Sequence, residues 1–332
     1  AEGLSTVKKL SVALALVGLL LATLLVGSFG FHTVTSAVGR AGWGGFALVC
    51  AWQLVIFVPL GLGWDQVARA RAIRRPMLFL WGRMVRDASA NCLPFSQVGG
   101  FVFGTRAVML HGLSWPLATA TTLVDITAEF LAELAFIGIG LSILLARVPR
   151  ADHVAVPIEV GLGLLILGAI VFLGVQHRAG PLFARVAERI AGRRVGGARQ
   201  RIAALHAEMM AIYGHAGRLF ASFALHLLGW LASGFADWIA FRAIGVSIDV
   251  DAALAIEALL SGVAAAAFLV PVNAGIQEAS YAGFGALFGA PPEMSLAVSL
   301  IRRARDVAVG VPILLVWQFF EVRRLRAMPE SA

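Results

Sequence analysis

The chain has 332 residues, 59% of them hydrophobic and only 14% charged, and its mean hydropathy is +0.85. A soluble domain carries about a quarter charged residues, so an ordinary soluble fold is excluded. The formal charge is +8, but the arginines cluster in loops between apolar runs. Positive-inside topology and anionic lipid headgroups account for such loops, and no basic surface domain exists to bind nucleic acid.

A helix needs about 20 apolar residues to cross a bilayer. The first such run is Leu10 to Val26, preceded by Lys8 and Lys9. It lacks a clean small-residue cleavage site and a second span follows soon after, so it reads as a retained span rather than a leader. The second span is about Trp43 to Gly63, and Arg69, Arg71, Arg74 and Arg75 follow it. The positive-inside rule places that loop and the N-terminus on the cytoplasmic side. Cys50 and Cys92 fall in apolar stretches, without the spacing of a zinc site or redox motif.

The next stretch is interrupted. Met77 to Leu93 is apolar but carries Arg83, Arg86, Asp87 and Asn91, and it breaks at Pro94. Gly99 and Gly100 open another short apolar piece that ends near Leu110. Two pieces too short to span, joined at Pro and Gly, predict a re-entrant hairpin of half-helices. A long helix is then expected from Trp115 to Ala146, stopped by Arg147, Pro149 and Arg150. A span over Val154 to Gln176 follows. The segment 177–218 is rich in arginine, and Ile202, Leu205, Met209 and Ile212 repeat at helical spacing within it. This predicts a basic, amphipathic cytoplasmic segment.

The sixth span is about Leu219 to Ile244, and the seventh, Ala252 to Val270, breaks at Pro271. A short piece, Ala279 to Phe288, ends at Pro291-Pro292. The final helix is about Glu293 to Glu321, with Arg323, Arg324 and Arg326 as a cytoplasmic anchor. The sidedness closes with both termini cytoplasmic and the two broken hairpins entering from opposite faces. The expectation is an all-α, polytopic integral membrane bundle forming a single domain over 1–332, with two re-entrant hairpins and a possible inverted repeat.

Ionisable residues inside a membrane pair with one another or line a cavity. Asp125, Glu129 and Glu133 share one stripe of the long helix at spacings of four. They either pair with buried arginines or form a relay or polar cavity wall. Arg302, Arg303, Arg305 and Asp306 lie deep in the final helix, where Arg302 and Arg303 can reach Asp306 along the same helix. An arginine left over could pair with the acidic stripe or hold a phosphate. At the second break, Pro271, Asn273, Gly275, Gln277 and Glu278 supply free backbone groups and a carboxylate in the first turn of the following half-helix. His226, Asp237 and Glu257 read as satisfied residues of the bundle. No phosphate loop, HExxH motif or nucleophile elbow occurs. The chain is therefore expected to be no enzyme and to use no metal or cofactor.

Four pieces carry a resemblance: Asn91-Cys92-Leu93-Pro94 through Gly99-Gly100, then Leu123-Val124-Asp125, then Pro271-Val272-Asn273-Ala274-Gly275-Ile276-Gln277-Glu278, and Ile301-Arg302-Arg303-Ala304-Arg305-Asp306. Together they resemble the membrane domain of lysylphosphatidylglycerol synthases, the flippase-like family. Gln97-Val98-Gly99-Gly100 and Trp317-Gln318 look most like the subgroup associated with bacterial hopanoid biosynthesis. The resemblance implies a bacterial inner-membrane protein that moves lipids between leaflets. It also implies that the second hairpin and the arginine-rich final helix shape the lipid cavity. Many relatives have Gly-Glu where Gly99-Gly100 stands, so an acidic role there is lost. No aminoacyl-transferase domain is seen, so lipid aminoacylation is not implied. The expected function is transport of a polar-headed lipid, a hopanoid or a polyprenyl-linked lipid among the candidates. The alternatives are an accessory subunit that docks a lipid-biosynthesis enzyme, and a membrane-embedded lipid-modifying enzyme.

Overall fold

The computed structural model describes residues 31–92, 96–148, 163, 166–168, 170, 198–266 and 275–327. The expected span Leu10 to Val26, most of the span Val154 to Gln176, the basic stretch 177–197, and the breaks at Pro94, Pro271 and Asn273 lie outside the described residues. The described residues are helical, with no strand among them.

Helix α1 covers Phe31–Arg69 and bends at Gly42, whose φ of 57° only glycine adopts readily. Then come α2 (Pro76–Cys92), α3 (Ser96–Met109), α4 (Trp115–Arg147), α5 (Ala198–Tyr213), α6 (Ala216–Ala243), α7 (Val250–Ala266), α8 (Ile276–Leu287) and α9 (Pro292–Ala327). By length and composition, the segment Gly39–Arg69 and the helices α4 and α6 are long and apolar enough to cross a membrane. Large apolar side chains such as Leu54, Val102, Phe220, Leu228, Leu315 and Phe319 face outward. Asp125, His226 and Glu257 are fully buried. An apolar exterior around a charged interior is the distribution that a hydrocarbon solvent selects.

The order of contacts fixes how far each short helix reaches. α2 and α3 are antiparallel and very close. A side chain at Gly82 would meet Val108, and one at Gly100 or Gly104 would meet the backbone or Cβ of Arg86 and Ala90. Both helices open toward the end where Asp65 pairs with Arg69 and where Arg75 donates to the His111 carbonyl. α2 then runs beside α4, with Arg86 on Asp125. Its last residue, Cys92, lies against Gly310 of α9.

α7 enters from the opposite end, where Arg147 binds Asp249 and Asp251. It runs antiparallel to α4, with Ala255 and Ala258 on Gly140 and Gly262 on Ile137. α8 returns toward the same end along α9, with Glu278 on Arg303 and Gly285 on Ser295. With 17 residues each, α2 and α7 are about 25 Å long, against about 50 Å for α4. Their described residues therefore reach to about the level of Glu133, about halfway along α4.

α5 sits at the arginine-rich end. Leu205, Met209 and Ile212 pack on Val67 and Ala70 of α1 and on Ala120 and Val124 of α4. Arg71 also pairs with Glu208 at 2.7 Å. The apolar stripe expected over this segment thus faces protein.

The α2/α3 contact generates a prediction. A Cβ at Gly100 would stand 2.6 Å from the Arg86 carbonyl oxygen, a backbone atom that cannot swing aside, whereas one at Gly283 would meet nothing within 4 Å. Gly100→Ala is expected to destabilise by about 1–3 kcal/mol through overpacking. Gly283→Ala should be neutral, or stabilising by up to about 1 kcal/mol. Thermal unfolding of the detergent-solubilised protein measures both.

Candidate functional site

The charged residues of the interior gather into two groups, each tying one short hairpin to the long helices. The first centres on α2. Arg83 donates from Nε to Asp87 Oδ2 at 2.9 Å and from Nη2 to Glu129 Oε1 at 2.6 Å. Arg86 donates from Nη1 to Asp125 Oδ2 at 3.0 Å, and its Nη2 binds the other oxygen of Glu129. His226 of α6 lies 2.8 Å from Asp125 Oδ1 through Nε2. The guanidinium of Arg86 also stacks 4.6 Å from the centroid of the Phe101 ring on α3. Arg83 and Arg86 are three apart and Asp125 and Glu129 four apart, so each pair occupies one helix face. Two forked donors thus meet two carboxylates of the expected acidic stripe.

The third acid of that stripe behaves differently. Glu133 is half-buried, and among the described residues no hydrogen bond or ion pair holds it. It lies between Glu129 and Glu257, which both act on it electrostatically.

The second group centres on Arg302 of α9. Its Nη2 donates to Glu257 Oε1 at 2.7 Å, and its Nη1 binds the other oxygen. Nη1 also donates to Tyr281 Oη at 2.9 Å. Tyr281 in turn donates to Asp237, with both carboxylate oxygens at 2.8 Å, and Ser233 Oγ donates to Glu257 at 2.7 Å. The neighbouring Arg303 binds Glu278 through Nε and Nη2. Gly275 begins α8 at φ 76°, and its N–H donates to Glu278 Oε2 at 2.9 Å. Glu278 therefore satisfies a free N–H at the half-helix start while neutralising an arginine. Gln277 reaches Ser299 Oγ at 3.2 Å.

The structure redistributes several expected pairings. Arg302 and Arg303 do not turn along their own helix to Asp306; they reach across to α7 and α8. Asp306 takes Arg305 instead, at 2.7 Å. The reason is that the short helices bring buried carboxylates beside these arginines, and a buried carboxylate left alone is costly. Gly100 is buried against Arg86, and Gly99 lies beside it half-buried. Asn91 is exposed near the end of α2 and joins neither group. Asp237, Glu257 and His226, expected as ordinary bundle residues, stand at the centre of the two groups. Tyr281 was not singled out by any motif. Its only signal was a tyrosine in an otherwise apolar half-helix, one turn beyond Glu278.

Part of the second group remains reachable. The side chains of Arg302 and Arg303 are 19% and 25% exposed, while Glu257 and Glu278 beneath them are 0% and 2% exposed. The buried Glu257 therefore holds a partly exposed Arg302 guanidinium, an arrangement able to receive an anionic or strongly polar group.

Removing one partner of the deeper group tests its energetic weight. Arg86→Met strands Asp125 and is expected to cost about 3–5 kcal/mol. Adding Asp125→Asn should return part of that loss, giving a coupling of about 0.5–3 kcal/mol. A double-mutant cycle by chemical denaturation in micelles measures it, and additive losses would show that the pair is not coupled.

No curated protein and no solved structure matches the chain. A family model, described as the lysylphosphatidylglycerol synthase transmembrane region, matches residues 10–313. Both hairpins and every charged residue described above, apart from the far end of α9, lie within that match. The chain is a multi-pass membrane protein belonging to the lysylphosphatidylglycerol synthase transmembrane-region family, a family tied to lipid handling.

Proposed function

We infer that the protein moves a polar-headed lipid between the leaflets of a bacterial inner membrane, without chemical change to the lipid and with both termini in the cytoplasm. In this reading α2/α3 and α7/α8 are re-entrant hairpins related by inverted topology. The headgroup passes between their tips while the apolar tail stays in the bilayer. What supports the reading is the placing of the short helices: α2 and α3 extend from the end of the bundle where Arg75 meets His111, and α7 and α8 from the end where Arg147 meets Asp249 and Asp251. A polar headgroup cannot cross hydrocarbon bare, because each unsatisfied polar group costs several kcal/mol there. Half-helix ends and the partly exposed Arg302 guanidinium would supply partners along the way. A small rocking motion of one hairpin against the other would then alternate access from the two faces. Hopanoids and polyprenyl-linked lipids are the substrates that the sequence resemblance favours.

The test is transfer in proteoliposomes. Purified protein is reconstituted with fluorescent lipids of several headgroup classes, including a hopanoid and a polyprenyl phosphate, and loss from one leaflet is followed. Accelerated transfer of at least one class is expected, with loss of transfer in Glu278→Gln protein that still elutes as a folded species. No transfer of any lipid would sink the reading and leave a role in docking a lipid-biosynthesis enzyme.

A further inference from the structure

The two charged groups are connected by a feature that lipid passage does not require. α6 carries Ser222, His226, Trp230, Ser233 and Asp237 at successive spacings of four, four, three and four, so they form one stripe on its inner face. The stripe starts beside the first group, through His226 on Asp125. It ends in the second, through Ser233 on Glu257 and Asp237 under Tyr281. By helix rise it is about 22 Å long. Three consecutive members hold buried polar atoms with no hydrogen-bond partner among the described residues: Ser222 Oγ, His226 Nδ1 and Trp230 Nε1. Arg83 Nη1 in the first group is a fourth. Protein interiors pair nearly all such atoms with protein or ordered water. A row of them on one helix face, beside ionised groups, is a place suited to ordered water.

The charges point the same way. The first group sets Arg83 and Arg86 against Asp87, Asp125 and Glu129. The second sets Arg302 against Asp237 and Glu257. Each has one more carboxylate than guanidinium, and the adjacent pairs Arg303–Glu278 and Arg305–Asp306 balance themselves. A buried net charge is costly, and one proton cancels it in either group. Glu133, half-buried and held by no ion pair among the described residues, is one turn from Glu129 and within electrostatic reach of Glu257. Phe136, on the same side of α4, stacks on Trp230 with centroids 5.9 Å apart.

The groups around each end are few. His226 meets Asp125, which Arg86 also binds, and acts electrostatically on Glu129; Arg83 and Asp87 belong to the same group, and Gly63 of α1 lies against the imidazole ring. Asp237 meets Glu257 from α7, Tyr281 from α8, and Arg302 and Arg305 from α9.

We propose that this stripe, with Glu133, is a proton path that joins the two charged groups through the membrane interior. His226 accepts a proton from water reaching the partly exposed Asp87 of the first group and becomes imidazolium. Through water at Trp230, the proton passes to the Glu133 carboxylate, leaving neutral imidazole and a neutral carboxylic acid. Glu133 then yields it to Asp237 in the second group and returns to carboxylate, and Asp237 returns to carboxylate by releasing it to water beside the partly exposed Arg302. The path would let a proton gradient act on both hairpins, since each group ties one of them to the long helices.

The test uses the full chain in vesicles of phosphatidylglycerol and phosphatidylethanolamine that enclose a pH-sensitive dye. A potassium diffusion potential, negative inside, drives protons inward. The wild-type protein should acidify the interior faster than empty vesicles do. That excess should be lost in Glu133→Gln and His226→Gln protein and reduced in Trp230→Phe protein, which keeps the ring stack but lacks the N–H. Glu133 holds no ion pair and Trp230 no hydrogen bond among the described residues, so both variants remain informative if His226→Gln does not fold. Wild-type flux equal to that of empty vesicles would overturn the proposal, as would unchanged flux in both Glu133→Gln and Trp230→Phe protein. No labelled lipid enters the assay, so its outcome is separate from that of lipid transfer.

Discussion

A charge in hydrocarbon must find its opposite, and the architecture is organised around that requirement. The interior arginines are not spread over the bundle. Arg83 and Arg86 sit on the first hairpin, and Arg302, Arg303 and Arg305 on the final helix. Each is paired with a carboxylate. Arg302 on Glu257 and Arg303 on Glu278 are bidentate, while Arg86 divides its fork between Asp125 and Glu129, and such geometry constrains the rotation of the paired helices as well as their separation. Apolar packing alone cannot do this in a membrane, because lipid tails are as apolar as leucine.

The pairing has opposite polarity in the two halves. The first hairpin brings cations to acids on α4, and the second brings acids to cations on α9. Glycine allows the close approaches: α3 meets the backbone of α2 at Gly100 and Gly104, and α7 meets α4 at Gly140.

The same charges carry the two functional readings in different ways. The proposed lipid passage would use the partly exposed guanidinium of Arg302. The proposed proton passage would use the surplus carboxylates and the row of unsatisfied polar atoms on α6. If both hold, the ionic clamps couple them, since protonating either group changes the charge that binds its hairpin.

Much of the molecule was legible in the residues. Leu54, Val102 and Leu315 stand in apolar runs long or short enough to place most helix ends within a few residues, because hydrocarbon thickness and helical rise set the length of a crossing. The acids at 125, 129 and 133 were visible as one stripe, because helical periodicity alone puts them there. Partnership was not legible. Nothing local distinguishes Glu129, clasped by two arginines, from Glu133, one turn on and clasped by none; that depends on α2 stopping short of it. Arg302 and Arg303 are adjacent in the chain, yet one reaches α7 and the other α8, because neighbouring residues on a helix point about 100° apart. His226, Asp237 and Tyr281 looked ordinary in sequence for the same reason. A buried charge takes its meaning from the groups that face it, and those come from helices up to a hundred residues away, brought together only by the fold.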